Sequence, residues 1–160
     1  MAAPPLAVFD LDGTLADVRH RLHHLERRPR DWQAFFRAAP QDPPLAEGVA
    51  LARAGAVGCE VAYVTGRPEH CRADTEEWLA RHGLPSGRLL MRRPHDRRPA
   101  RVAKPELLAR LARNRTVALV VDDDEQVCAA YERAGFPVVR AAWAAAEPVL
   151  RQVQEEEGRS

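Results

Sequence analysis

The sequence predicts a three-layer α/β fold: one parallel sheet with helices on both faces and a minimal helical lid after the first strand. Two observations carry this expectation. Short, continuously apolar runs, of the kind buried on both faces of a parallel sheet, alternate with segments of helical periodicity. The polar residues just after those runs then fall at strand ends, the edge where open α/β sheets place their chemistry. A length of 160 residues suits a single domain over residues 1–160 with a substantial core.

The elements follow in order. "LAVFD" (6–10) is a short apolar run ending in an acid, and "CEVAYVT" (59–65), "RLLM" (88–91), "TVALVVD" (116–122) and "PVVR" (137–140) resemble it. Between the first two, residues 16–43 suggest two short helices, a modest lid at most. "PLAEGVALARAGA" (44–56) has apolar residues at 45, 49 and 52. "PEHCRADTEEWLARHG" (68–83) starts with Pro, carries acids and stops at Gly, the asymmetry of a helix with a defined start and end. "KPELLARLARN" (104–114) and "DEQVCAAYERAG" (124–135) follow, then a last helix near 143–156 and a frayed tail at about 155–160. Strands alternating with helices imply right-handed crossovers.

Composition narrows the function. Apolar residues make up 46% and charged residues 29%, and the net charge is +1, so no global field draws the chain to nucleic acid or membrane. Any such preference must come from a local patch. The three cysteines show no CxxC pair and no zinc-ligand spacing, which fits a reducing, cytoplasmic setting. No signal-peptide core opens the chain, and no apolar run approaches the roughly 18 residues of a membrane span.

Asp10 and Asp12 stand two apart at a strand end, so both side chains share a face if the strand persists, and Gly13 permits a sharp exit. "VVDDD" ends another strand with Asp122, Asp123 and Asp124. Two carboxylates about 4 Å apart repel by roughly 4 kcal/mol at an effective dielectric near 20. Protonation, neighbouring cations or a metal must offset that. An all-oxygen set that meets phosphate suits a hard cation such as Mg²⁺. The plain alternative is a solvated "DDD" turn opening a helix. Lys104 is the one lysine among 24 basic residues, at a point where a compact ammonium works differently from a planar fork.

These residues carry a resemblance. "VFDLDGTLAD", "VAYVTGRP", Lys104 before a helix, and "ALVVDDDEQV" resemble, in order and spacing, the four motifs of the haloacid dehalogenase (HAD) superfamily. The resemblance spans residues 6 to 127 and implies a Rossmann-like, HAD-type sheet carrying a magnesium-dependent phosphatase that works through a phosphoaspartate. It makes Asp10 the nucleophile and a metal ligand. Asp12 becomes the acid–base, binding metal through its carbonyl. Thr65 and Gly66 hold the phosphoryl group, and Lys104 contacts both Asp10 and phosphate. Asp122 is a ligand, with Asp123 a ligand or its supporting neighbour.

The substrate reading rests on the insertions. Residues 68–103 leave no room for a cap domain, so an open site is expected, one that admits phosphate on a large molecule. "RRPHDRRPARVAK" (92–104) and the arginines of 19–30 make the surroundings locally basic, as nucleic-acid backbones require. An Arg-rich chain also has Arg-rich loops without any such role. The segments before Lys104 and after Asp122 are similar to the phosphatase domain of polynucleotide kinase-phosphatases, with Arg21 and Arg67 matching phosphate-end arginines and Arg97 and Arg98 nearby. That implies removal of a 3′-phosphate from nucleic-acid ends. A phosphatase of a nucleotide or sugar phosphate is the alternative, and a non-catalytic binding protein on this fold a third. Two positions depart from the family: Ala100 stands where an acid is common, with Asp96 as a stand-in, and Asp124 replaces a basic or neutral residue. No GxxxxGK[ST] occurs, so a kinase or ligase partner would be a separate unit. His20, His23 and His24 read as lid surface, Trp32, Phe35 and Phe36 as the lid's packing face rather than a base-stacking platform, and Cys71 as buried.

Overall fold

The fold is seen in a computed structural model that describes residues 2–145 and 147–160. Five parallel strands, β1 (Leu6–Phe9), β2 (Glu60–Pro68), β3 (Leu89–Arg92), β4 (Val117–Asp122) and β5 (Val138–Arg140), form one sheet in the order β3-β2-β1-β4-β5. Connections after β1 run toward β3, and the connection from β3 to β4 crosses to the far side of β1. The strand order therefore reverses between β1 and β4, and a crevice opens beyond their carboxyl ends.

Alternation along the strands assigns the two faces. Ala7, Phe9, Tyr63 and Met91 pack with Val49 and Ala52 of α3 (Ala46–Gly58) and Trp78 and Leu79 of α4 (Arg72–Arg81). Leu6, Val8, Val64 and Val120 pack with Leu107, Leu108 and Leu111 of α5 (Ala100–Leu111) and Val127 and Tyr131 of α6 (Glu125–Arg133). Every residue of β1 is buried, which is why its sequence is a continuous apolar run rather than an alternating one.

Between β1 and α3 the lid forms two short helices, α1 (His23–Glu26) and α2 (Trp32–Arg37), as the 16–43 segment predicts, with single 3₁₀ turns at Arg19–Arg21 and Ala39–Gln41. Asp31 caps α2, accepting a bond from the Ala34 N–H at 3.0 Å. The last helix, α7 (Pro148–Glu156), lies against the lid: Leu150 and Val153 share a cluster with Val18, Leu22, Leu25 and Phe35.

Boundaries differ from the sequence reading at several places. β2 runs on to Pro68, so the helix expected over 68–83 does not start at that proline but at Arg72, after a 3₁₀ turn at Glu69–Cys71. The helix carrying Lys104 begins at Ala100, so the lysine sits inside its second turn rather than before it. The last helix begins at Pro148, not near 143, because Pro at its first position fixes the start; Ala146, within the expected range, lies outside the described residues. The expected frayed tail is instead folded back, with Gly158 and Ser160 buried. Gly158 adopts φ +61°, which allows the chain to turn inward after α7.

Candidate active site

The crevice at the switch point collects acids from two strands. Asp10 follows β1, and Asp122 ends β4, its neighbour in the sheet. Lys104 reaches them from α5: its Nζ lies 2.8 Å from Asp10 Oδ1 and 2.8 Å from Asp122 Oδ2. All three side chains are buried. The Thr14 hydroxyl donates to Asp10 Oδ2 at 3.1 Å, so each oxygen of the Asp10 carboxylate has a partner. The Asp124 N–H donates to Asp122 Oδ1 at 2.9 Å.

Asp123 completes the cluster. One oxygen from each of Asp10, Asp122 and Asp123 lies within 4.8 Å of the others. Arg151 of α7 holds Asp123, donating to its Oδ2 at 2.8 Å and its carbonyl at 2.9 Å. Gly13 makes the close approach feasible: it takes φ +86°, and a Cβ there would meet Asp123 Oδ2 at 2.1 Å.

The charge balance is unfavourable. Burial first, and then repulsion from Asp122, push the Asp10 carboxyl well above the carboxylate range, while Lys104 pulls the other way. Burial and Asp122 raise Asp123 as well, against Arg151. Burial alone would depress the Lys104 ammonium, but Asp10 and Asp122 overcome it and hold the proton on. The residual negative charge and the all-oxygen donor set fit a hard divalent cation.

A second, cationic layer stands beside the first. Arg21 donates through Nε to Asp42 Oδ1 and through Nη2 to Asp42 Oδ2, both at 2.8 Å, and reaches Asp12 Oδ1 at 3.1 Å. Its guanidinium also lies 4.1 Å from the Phe35 ring centroid. Arg67 donates to Asp12 Oδ1 at 2.5 Å and to Asp42 Oδ2 at 3.2 Å, and braces on Thr75 Oγ1 at 3.2 Å. Two buried guanidiniums thus share two buried carboxylates, the arrangement in which a buried ion pair can persist. Burial would raise the Asp12 carboxyl, but Arg67 and then Arg21 outweigh it and hold Asp12 far below its ordinary value. Thr65 is buried at the same strand end, its hydroxyl accepting the Arg67 N–H at 3.1 Å.

The structure therefore brings together Asp10, Asp12, Arg21, Thr65, Gly66, Arg67, Lys104, Asp122 and Asp123. It does not bring Arg98, whose guanidinium is held outside by Asp96 at 2.9 Å and Glu106 at 2.7 Å. Arg97 is exposed and lines a neighbouring groove. Asp96 does not take the place of the acid missing at Ala100, since it is spent on Arg92 and Arg98. Asp124 is the N-cap of α6, accepting the Gln126 N–H at 2.9 Å. Cys71 is buried, and burial pushes its thiol up to about 11. His20 is exposed on the lid, as expected, and its Nε2 lies 2.6 Å from Asp42 Oδ1.

The expected open site is closed in this structure. Ser160 is buried, its hydroxyl donates to Asp12 Oδ2, and its carbonyl lies over Gly66, where a Cβ would come within 2.2 Å of it. Two other participants escape a reading of the sequence. Asp42 lies in the loop before α3, outside the residues singled out as site candidates, yet it is buried and anchors both site arginines. Arg92 is buried with Nε and Nη2 lacking hydrogen-bond partners, a cost visible only once the neighbours are in place.

Residues 4–144 match the family described as the polynucleotide kinase PNKP phosphatase domain. No curated protein sequence matches the chain. Among solved structures, a chain of the Pnkp1/Rnl/Hen1 RNA repair complex is similar, with 26% identity and a TM-score of 0.72 over 86% of this chain and 42% of that one. A second structure of the Pnkp1/Rnl/Hen1 complex gives 26% identity and a TM-score of 0.71, over 88% of this chain and 46% of that one. This chain spans less than half the length of either. A haloacid dehalogenase-like family hydrolase from Streptococcus pneumoniae, 12% identical, shares the fold over 97% of this chain and 93% of its own, with a TM-score of 0.66. A match over most of its length, on a sheet with this strand order, makes the chain a HAD-type phosphatase domain of the polynucleotide kinase PNKP phosphatase family.

Proposed function

We propose that the chain is a magnesium-dependent phosphohydrolase that removes 3′-phosphate from nucleic-acid ends by way of a phosphoaspartate on Asp10. The observation that carries the reading is the junction of Asp10, Lys104 and Asp122, two contacts of 2.8 Å on one buried ammonium, beside Asp123 and the two buried guanidiniums. Asp10, Asp122 and Asp123, with the Asp12 carbonyl, would hold the cation. When bound, it supplies positive charge to the phosphoryl oxygens.

The side chains account for the rest. The Asp10 carboxylate attacks phosphorus in line with the ester oxygen, whose P–O bond breaks as the proton from Asp12 goes to the leaving hydroxyl. Asp12 then takes a proton from water, whose oxygen attacks phosphorus and releases Asp10 and phosphate. Lys104 neutralises Asp10 between the two steps, and Thr65 donates to the phosphoryl group. Asp12 is a poor acid while Arg21 and Arg67 both hold it. An incoming phosphate competes for those same guanidiniums, and each bond it takes raises the Asp12 pKa toward the value a proton donor needs. Substrate therefore arms its own acid.

The family match and the similarity to a chain of an RNA repair complex support a nucleic-acid end and a separate kinase or ligase partner. The buried, covered acids favour a small phosphate ester instead. One assay separates the two: phosphate release from 3′-phosphorylated DNA and RNA oligonucleotides and from a panel of nucleotides and sugar phosphates, with Mg²⁺ and with chelator, using Asp10→Asn as control. Better turnover of the metabolites rejects the polymer reading. Turnover unchanged by chelator or by Asp10→Asn rejects the mechanism.

A further inference from the structure

On α2, Phe35 is fully buried in the lid core, while Trp32 and Phe36, one helical turn apart, pack against that core half-buried, with their rings stacked at 5.6 Å and 28°. They line a groove of about 240 Å³ with Pro68, His70, Arg97 and Arg159. That is below the roughly 300–1,000 Å³ of drug-sized ligand sites and suits one small planar group. The Trp32 face already carries one: the Arg159 guanidinium lies 4.7 Å from its ring centroid. The next residue, Ser160, places its hydroxyl on the Asp12 carboxylate. Two consecutive residues thus occupy the two places, the Arg159 side chain on the aromatic face and the Ser160 side chain on the catalytic acid. In this arrangement the Ser160 hydroxyl stands where a leaving hydroxyl must receive its proton, and the Arg159 plane stands where the group next to it would stack.

The electrostatics of the groove fit a polyanion. Arg92 lines it, buried, with Nε and Nη2 unpartnered, and Arg97 lies exposed beside it. The acids facing it are already engaged: Asp96 by Arg98 and Arg92, and Glu157 by Arg30, Arg97 and Arg159 at 3.8 to 4.0 Å. Stacking on an aromatic face with cations alongside is how single-stranded nucleic acid is held without regard to sequence.

We propose that the Trp32 face is the seat of the terminal base of a nucleic-acid strand whose 3′-phosphate lies at Asp10, a seat that Arg159 and Ser160 fill in this structure. The proposal rests on the nucleic-acid reading of the site. Residues 158–160 then compete with substrate, and only a ligand that both stacks and brings a phosphate displaces them efficiently.

The test uses two 3′-phosphorylated oligonucleotides that differ only in whether the last sugar carries a base. Equilibrium binding is measured to Asp10→Asn protein, with and without Trp32→Leu, and phosphate release is measured with the corresponding Asp10 proteins. Trp32→Leu is expected to weaken the base-bearing ligand about 5- to 150-fold and leave the abasic one unchanged. Arg159→Ala, whose side chain packs no core, keeps the test readable if Trp32→Leu misfolds, and it is expected to tighten the base-bearing ligand alone. Equal effects on both ligands, or none, overturn the seat. If neither ligand is hydrolysed yet the binding contrast persists, the seat stands and the phosphatase reading of this substrate falls. If both are hydrolysed without contrast, the reverse holds.

Discussion

Replacing Lys104 by Met removes the one cation between Asp10 and Asp122 while keeping the length of the side chain. Each contact is 2.8 Å, so each carries roughly 6 kcal/mol of Coulomb attraction at an effective dielectric near 20. Much of that only offsets the desolvation of the three groups, and removing one partner of a buried pair costs about 3–5 kcal/mol in practice. For a domain of this size, about 2–4 °C per kcal/mol translates this into a melting point lower by roughly 6–20 °C. The Asp10 pKa already stands above its unfolded value, so its ionisation opposes folding as pH rises. The deficit of the variant is thus largest at neutral pH and above, and shrinks as acid protonates Asp10. Mg²⁺ is expected to replace the missing charge: at one hundred times its Kd it returns about 2.7 kcal/mol. Thermal unfolding followed by circular dichroism, in chelator and in Mg²⁺ at several pH values, reads all of this, with phosphate release measured alongside. The expected outcome is a large loss in chelator, partial recovery with Mg²⁺, and no recovery of turnover. A variant that melts with the wild type in chelator would refute the role of Lys104 as the charge that holds these acids together.

Four further outcomes are expected. Lys104→Arg loses most phosphate release, because a fork larger than an ammonium has no room in a fully buried position; near-normal turnover would make the single lysine incidental. Asp42→Asn leaves Arg21 and Arg67 with Asp12 as their one carboxylate, costing about 3–5 kcal/mol of stability in denaturant melts and weakening binding of inorganic phosphate in calorimetry. Arg67→Gln removes the larger of the two forces that lower Asp12, so the alkaline limb of the pH–rate profile, set by loss of the proton Asp12 must donate, moves to higher pH even as the maximum rate falls; an unmoved limb argues that Asp12 is not the titrating group. Gly13→Ala forces a Cβ to within 2.1 Å of Asp123 Oδ2 at φ +86°, costing at least about 1–2 kcal/mol and abolishing the Mg²⁺-induced rise in melting temperature.

The strands were legible because each is short, apolar on both faces and followed by polar residues; β1 and β4 also carry their acids at the ends. Motif order then located Lys104, since its partners lie in elements whose own signals are strong. Asp42 was not legible. It lies between a 3₁₀ turn and the prolines before α3, in a stretch that reads as lid and assigns it no role; its importance comes from two arginines 21 and 25 residues away in opposite directions. Arg98 was misplaced for the converse reason: a basic run reads as a patch, but neighbouring acids at Asp96 and Glu106 draw its side chain outward. The tail was misread because "EEEGRS" has the composition of a solvated end. Its inward turn depends on Gly158 fitting under Arg92 and on the Trp32 face, which are tertiary facts.

The last helix buries Leu150 and Val153 in the lid's cluster and also rests on α5. Leu150 and Val153 are locked among Leu22, Leu25 and Phe35, while seven residues beyond Val153 Ser160 sits in the crevice. The segment that covers Asp12 is therefore anchored on the lid through α7 and on α5 through the 2.8 Å pair of Glu155 with Arg101. Arg151, on the same helix, grips Asp123, one acid of the cluster. One short stretch of chain, residues 151–160, thus touches both the ion-holding acids and the proton-carrying one.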